Sequence, residues 1–101
     1  MGKQIRQIKW DERALGSFIS IIEYIYQSSP NNAKSVKARV INIIKSIPQN
    51  PELYRVDELK ENNEGSFRVF NSDSIRISYK IESTAILITR VRHSSQEPIS
   101  Y

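Results

Sequence analysis

The chain has no cysteine among its 101 residues and a single histidine, His93. Without thiols there is no disulfide and no thiolate zinc site, and one imidazole makes a structural metal site very hard to build. Only three glycines are present. None sits in a phosphate-cradling Gly-rich loop, and one histidine cannot supply a Ser-His-Asp arrangement. No metal and no cofactor are therefore expected. Long hydrophobic runs are also missing. The longest falls far short of the roughly 20 residues needed to cross a bilayer, and the start, MGKQIRQIKW, has no apolar region of the signal-peptide kind. No membrane contact is expected, and the location is expected to be cytoplasmic.

What is present is ordinary for a globular protein: 39% hydrophobic and 26% charged residues, which excludes a disordered chain. The length suits one domain over residues 1–101 with one modest core. The net charge of +4 and pI of about 9.5 allow a polyanionic partner, either nucleic acid or an acidic protein.

The patterning yields an order of elements. Ile8 and Trp10 alternate with Gln7 and Lys9 in a short strand. Asp11 is placed to cap a helix, with Glu12 in the first turn where negative charge suits the dipole. Ala14, Leu15, Phe18, Ile21, Ile22 and Ile25 recur at helical spacing. Tyr24 and Tyr26, with Phe18, read as packing of the helical hairpin. Gly16 could allow the second helix to come close. Ser29 and Pro30 then start that helix. Its stripe is Ala33, Val36, Val40, Ile43, Ile44 and Ile47, with Lys34, Lys37, Arg39 and Lys45 largely off it. Pro48 to Pro51 ends it. Residues 52–64 follow no clean period and read as a loop with at most a short strand.

The last third, FRVFNSDSIRISYKIESTAILITRVRH, reads as three strands joined by tight turns. Ile75, Ile77, Tyr79 and Ile81 alternate with Arg76, Ser78, Lys80 and Glu82, the clearest period-two stretch in the chain. Residues 85–91 are rich enough in apolar side chains for an interior strand. The fold expected is α+β: strand, helix, helix and three strands, with the helical hairpin on one face of a small, mainly antiparallel sheet. The other face is then left with Arg76, Lys80 and their neighbours, while the tail SSQEPISY either lies along the sheet or hangs free. Counting by twos, His93 falls with Leu87 and Val91 and away from Arg90 and Arg92, unless a bulge re-aims it.

The segments FISIIEYI, AKSVKARVINIIKSIPQNP, GSFRVFNSDSIRISYKI and ILITRVRHSSQEP, in this order and at this length, resemble the RelE/ParE superfamily of bacterial toxins, the toxic halves of type II toxin–antitoxin pairs. The strand ending Arg-x-His is similar to the ParE-like branch. The resemblance implies a growth-inhibiting toxin neutralised by a cognate antitoxin, largely acidic and encoded nearby. For ParE-like members it implies inhibition of DNA gyrase by binding. For RelE-like members it implies cleavage of mRNA on the ribosome. A non-toxic protein-binding or nucleic-acid-binding module on the same fold is a third reading. Under the nuclease reading Arg76 matches the family's phosphate-binding strand arginine, and His93 could serve as base or acid. Tyr101 lies near the position of a RelE-like C-terminal tyrosine. The arginine that RelE-like members carry after the last strand is missing, since His93-Ser94-Ser95-Gln96 stands there. Under either reading Arg68, Arg76, Lys80, Arg90 and Arg92 are the candidate residues for binding nucleic acid or another target.

Overall fold

The computed structural model describes residues 5–96 and 98–101. Its elements are β1 (Gln7–Trp10), α1 (Glu12–Ser28), α2 (Pro30–Ser46), a 3-10 turn (Ile47–Gln49), β2 (Arg55–Val56), β3 (Phe67–Ser72), β4 (Ile75–Ile81) and β5 (Ala85–His93). The sheet order is β1-β5-β4-β3-β2. β1 runs parallel to β5, and the other pairs are antiparallel. The expected α+β architecture is thus present, with a two-residue strand added from the irregular stretch.

Local chemistry explains the boundaries. Asp11 caps α1 by accepting hydrogen bonds from the Arg13 and Ala14 amides at 2.9 and 3.3 Å. Ser29 caps α2 by accepting from the Asn32 amide at 3.2 Å, with Pro30 in the first turn where its missing N–H costs nothing. The β3–β4 hairpin turns on Asp73 and Ser74, both left-handed at φ 55° and 64°. That conformation matches the twist of the flanking strands. Gly65 sits at φ 114°, where a side chain would be strained.

The helical hairpin covers one face of the sheet. Phe18, Val36, Val40, Ile44 and Ile47 meet Phe70, Ile75, Ile77, Tyr79, Ile86, Ile88 and Val91 in one apolar cluster. Trp10 packs on Phe18 with ring centroids 5.6 Å apart, and Tyr54 on Phe70 at 5.3 Å. Tyr79 is fully buried, as its parity with the isoleucines predicts, and its hydroxyl donates to the Pro51 carbonyl at 2.6 Å. Burial raises its pKa to about 12, so it is a neutral core residue.

Several helix residues depart from the reading of the sequence. Tyr24 and Tyr26 are not hairpin packing: they are 71% and 59% exposed, and Leu15 of the expected stripe is 40% exposed. Gly16 permits no close approach, since a Cβ built there would meet nothing within 4 Å.

Candidate functional site: the second face of the sheet

The face turned away from the helices presents Arg76, Ser78 and Lys80 from β4. Their register partners on β5 are Arg92, Arg90 and Leu87. Ser78 pairs with Arg90 and Tyr79 with Ile88, so Thr89 is an extra residue, a β-bulge. Its hydroxyl donates to the Ser78 carbonyl at 3.2 Å. The bulge resets the alternation along β5. Leu87 faces the same side as Arg90 and Arg92, which corrects its grouping with His93. Val91 and His93 face the helix side, so His93 does point away from those two arginines.

This face is covered, and of the two courses left to the tail by the sequence it takes the one along the sheet. The loop from 57 to 61 and the tail from 98 to 101 cross it. Tyr101 is tied to the loop through its backbone: its amide donates to the Leu59 carbonyl at 2.8 Å, and its carbonyl accepts from the Glu61 amide at 2.6 Å. Arg90 donates to the Ile99 carbonyl at 2.6 Å and lies over the Tyr101 ring, 4.4 Å from its centroid. Lys60 lies over the rings of Phe67 and Tyr101 at 4.9 and 5.4 Å, and Lys80 approaches Phe67 at 5.6 Å. A lysine head over an aromatic ring gains roughly 0.5–1 kcal/mol when exposed.

At the centre is Asp57, 1% exposed. One carboxylate oxygen takes Arg76 Nη2 at 2.6 Å and the Leu59 amide at 3.0 Å, and the other takes the Tyr101 hydroxyl. Burial opposes the charge on Asp57. Hydrogen bonds from Tyr101, Ser78, Leu59 and Arg76 outweigh that and hold its carboxyl below the usual carboxylate range. Burial, reinforced by the bond to Asp57, pushes the Tyr101 hydroxyl up to about 12. Arg76 makes a second ion pair to Glu58 at 3.1 Å. For Arg90, burial and then the nearby Arg92 lower the pKa from its ordinary value.

Asn63 fixes the loop that delivers Asp57. Its side chain donates to the carbonyls of Asp57 and Phe67 at 3.2 and 2.9 Å and accepts from the amides of Gly65 and Phe67 at 2.9 and 3.1 Å. Four bonds from one half-buried amide side chain make an irregular segment definite.

The candidate residues therefore divide. Arg76, Lys80, Arg90 and Arg92 share the second face. Arg68 does not: it pairs with Tyr79 in register and turns to the helix side. There it donates to the carbonyls of Gly65 and Tyr54 at 2.8 and 3.2 Å and holds two loops together. His93 Nδ1 accepts from the Ser95 amide at 3.1 Å and lies 2.7 Å from the Ser95 hydroxyl. His93 still lines, with Arg76, Arg92, Glu58, Leu59 and Ile75, a hollow of about 380 Å³ that wraps the end of the sheet. Asp57 was missed in the sequence, because a lone acid in an aperiodic stretch carries no signal of its partner. Tyr101 was noticed through resemblance alone.

The arrangement is a charged network satisfied from within. Among the described residues no buried side-chain nitrogen or oxygen lacks a partner, and no described helix is long and apolar enough to cross a membrane. A helical hairpin on one face of a mixed five-stranded sheet, with the second face closed by loop and tail, defines an α+β protein. The family model for the ParE toxin of the type II toxin–antitoxin system, parDE, matches residues 8–98, and the chain belongs to that family. No curated protein matches it in sequence. Among solved structures, a chain of the chromosomal ParDE TA system from P. aeruginosa superposes with a TM-score of 0.70. The match covers 90% of this chain and 98% of that one at 13% identity, a likeness of fold.

Proposed function

We propose that this toxin acts in the cytoplasm by binding DNA gyrase and is neutralised by an acidic cognate antitoxin. The observation that carries the reading is the engagement of Arg76 by Asp57 and Glu58. A metal-free ribonuclease needs cations aimed at the developing phosphorane charge and an acid–base pair near it. Here the strand arginine is spent on two carboxylates, and Arg90 is occupied by Ile99 and Tyr101. A surface whose charges are already satisfied suits recognition by shape and partial charge better than phosphoryl chemistry. The family membership supports the toxin role and the existence of an antitoxin partner.

The test is supercoiling by purified gyrase in the presence of the chain, run beside mRNA integrity in a translation extract. Inhibited supercoiling with intact mRNA is expected; unaffected supercoiling overturns the gyrase reading. One observation favours a second reading, ribosome-dependent mRNA cleavage: Arg76, Arg92 and His93 line the same hollow. Under that reading, codon-positioned cuts appear and vanish in Arg76→Ala or His93→Ala. The third reading, a non-toxic binding module, requires harmless expression without any antitoxin.

A further inference from the structure

The charge of this protein is concentrated in one element. Helix α2, PNNAKSVKARVINIIKS, holds Lys34, Lys37, Arg39 and Lys45 and no acid. The whole chain has 15 Lys and Arg against 11 Asp and Glu. Removing α2 leaves eleven of each, so the entire net charge of +4 resides on this helix. Arg39 is bound to Asp73 of the β3–β4 turn at 2.6 Å. The three lysines have no ion pair among the described residues.

Helical geometry gathers those lysines. At 100° per residue Lys34, Lys37 and Lys45 fall within about 80° of one another, on a stripe about 16 Å long. All three are exposed, and the buried stripe of Ala33, Val36, Val40 and Ile44 is centred about 100° further round the helix. At the N-terminal end of the stripe, Lys34 and Lys37 rim a shallow hollow of about 380 Å³ with Asn31, Pro30, Ile22 and the exposed Tyr26.

We propose that this face of α2 is a sequence-independent docking surface for the phosphodiester backbone of nucleic acid. Duplex DNA carries one negative charge per roughly 1.7 Å of axis. A 16 Å lysine stripe laid along it therefore finds phosphates in reach at any register. An acidic polypeptide would need carboxylates at matching spacing. Lysine heads are mobile point charges on long stems, suited to phosphates at varied positions; a fixed carboxylate is better held by the planar fork of arginine. Tyr26 and Asn31 add a ring and an amide beside the cations for sugar and phosphate contacts. The face contains nothing arranged to read base edges. The proposal is independent of whether the toxin acts on gyrase or mRNA.

The test is fluorescence anisotropy of a short labelled duplex titrated with the purified chain at several salt concentrations. Three phosphate contacts give a slope of about −2.7 in log affinity against log salt, hence a loss of about 40-fold from 50 to 200 mM. The variant K34Q/K37Q/K45Q is expected to lose most of that slope. K9Q/R13Q/R55Q removes the same charge from exposed sites elsewhere and is expected to keep most of it. Circular dichroism of both variants confirms that they fold. Absence of binding at the lowest salt overturns the proposal, as does equal loss in the two variants. Preference for poly-glutamate over the duplex, dependent on the same three lysines, also overturns it and assigns the face to an acidic protein.

Discussion

The two faces of the sheet are closed by different chemistry. On one, regular helices bury apolar side chains; on the other, a loop and a tail cover a buried carboxylate and two arginines and a tyrosine that are half-buried. The first closure is non-directional, and its strength follows buried area. The second depends on geometry. If one partner of the Asp57 cluster is removed, a buried carboxylate or its donors lose part of their hydrogen bonding. The helix face should therefore respond to changes of volume and resist changes of pH, and the strapped face should respond to pH as well.

The largest effects should come from breaking either closure outright. Ile77→Ala deletes part of a fully buried side chain, and by urea denaturation it should cost about 2–5 kcal/mol. Asp57→Ala removes the carboxylate shared by Arg76, Tyr101 and the Leu59 amide, while Arg76 keeps Glu58, and should cost about 1–3 kcal/mol. pH separates the two. The Asp57 carboxyl is depressed in the folded state, so its contribution is present above the unfolded value of about 3.9. It is lost as pH falls through the lower folded value. The urea midpoint of the native chain should thus fall below about pH 4. Asp57→Asn should flatten that limb, whereas Ile77→Ala should shift the curve down and leave its shape. An unchanged acid limb in Asp57→Asn would remove Asp57 from the account of this face.

A smaller effect is expected for Tyr101→Phe, which keeps the ring over Arg90 and removes the hydroxyl that donates to Asp57. A loss of about 1.5–3 kcal/mol is expected, the range for a hydrogen bond to a charged group. In the native chain the folded hydroxyl titrates near 12, above its unfolded value of about 10. Its contribution is therefore full below about pH 10 and fades as pH rises through 12. Tyr101→Phe should reduce this alkaline fade and leave the part due to Tyr79, likewise raised to about 12, read as the midpoint against pH. The smallest effect is expected for Tyr24→Ser, 71% exposed on α1. It should stay within about 0.5 kcal/mol, and a larger loss would mean that the outer side of the helix contributes to the closure.

The sequence made the two faces unequally legible for the same physical reason. The isoleucines of β4 and the stripes of α1 and α2 repeat at periods that only a strand or a helix satisfies. Asp11, Ser29 and Pro30 announce helix starts through local bonds. Nothing periodic links Asp57 to Tyr101, 44 residues apart, because their meeting depends on where two irregular segments land. The side taken by Arg68 depends on the β3–β4 register, a relation between strands that neither strand contains. Tyr24 and Tyr26 look like core by type, yet their angular position on α1 turns them outward.

The bulge at Thr89 has a consequence for how this strand tolerates change. It acts as a phase shifter in the reading of β5. Deleting Thr89 would restore strict alternation and leave Ile88 inward and Arg90 and Arg92 outward. Keeping Thr89 but pairing it in the ladder would instead drive Arg90 and Arg92 under the helices and bring Val91 out among the acids of the loop. Ordinary point substitutions leave that phase untouched, so the strand can drift in residue type while still delivering its cations outward. Loss of the bulge with the length of the strand unchanged would invert the delivery at a stroke.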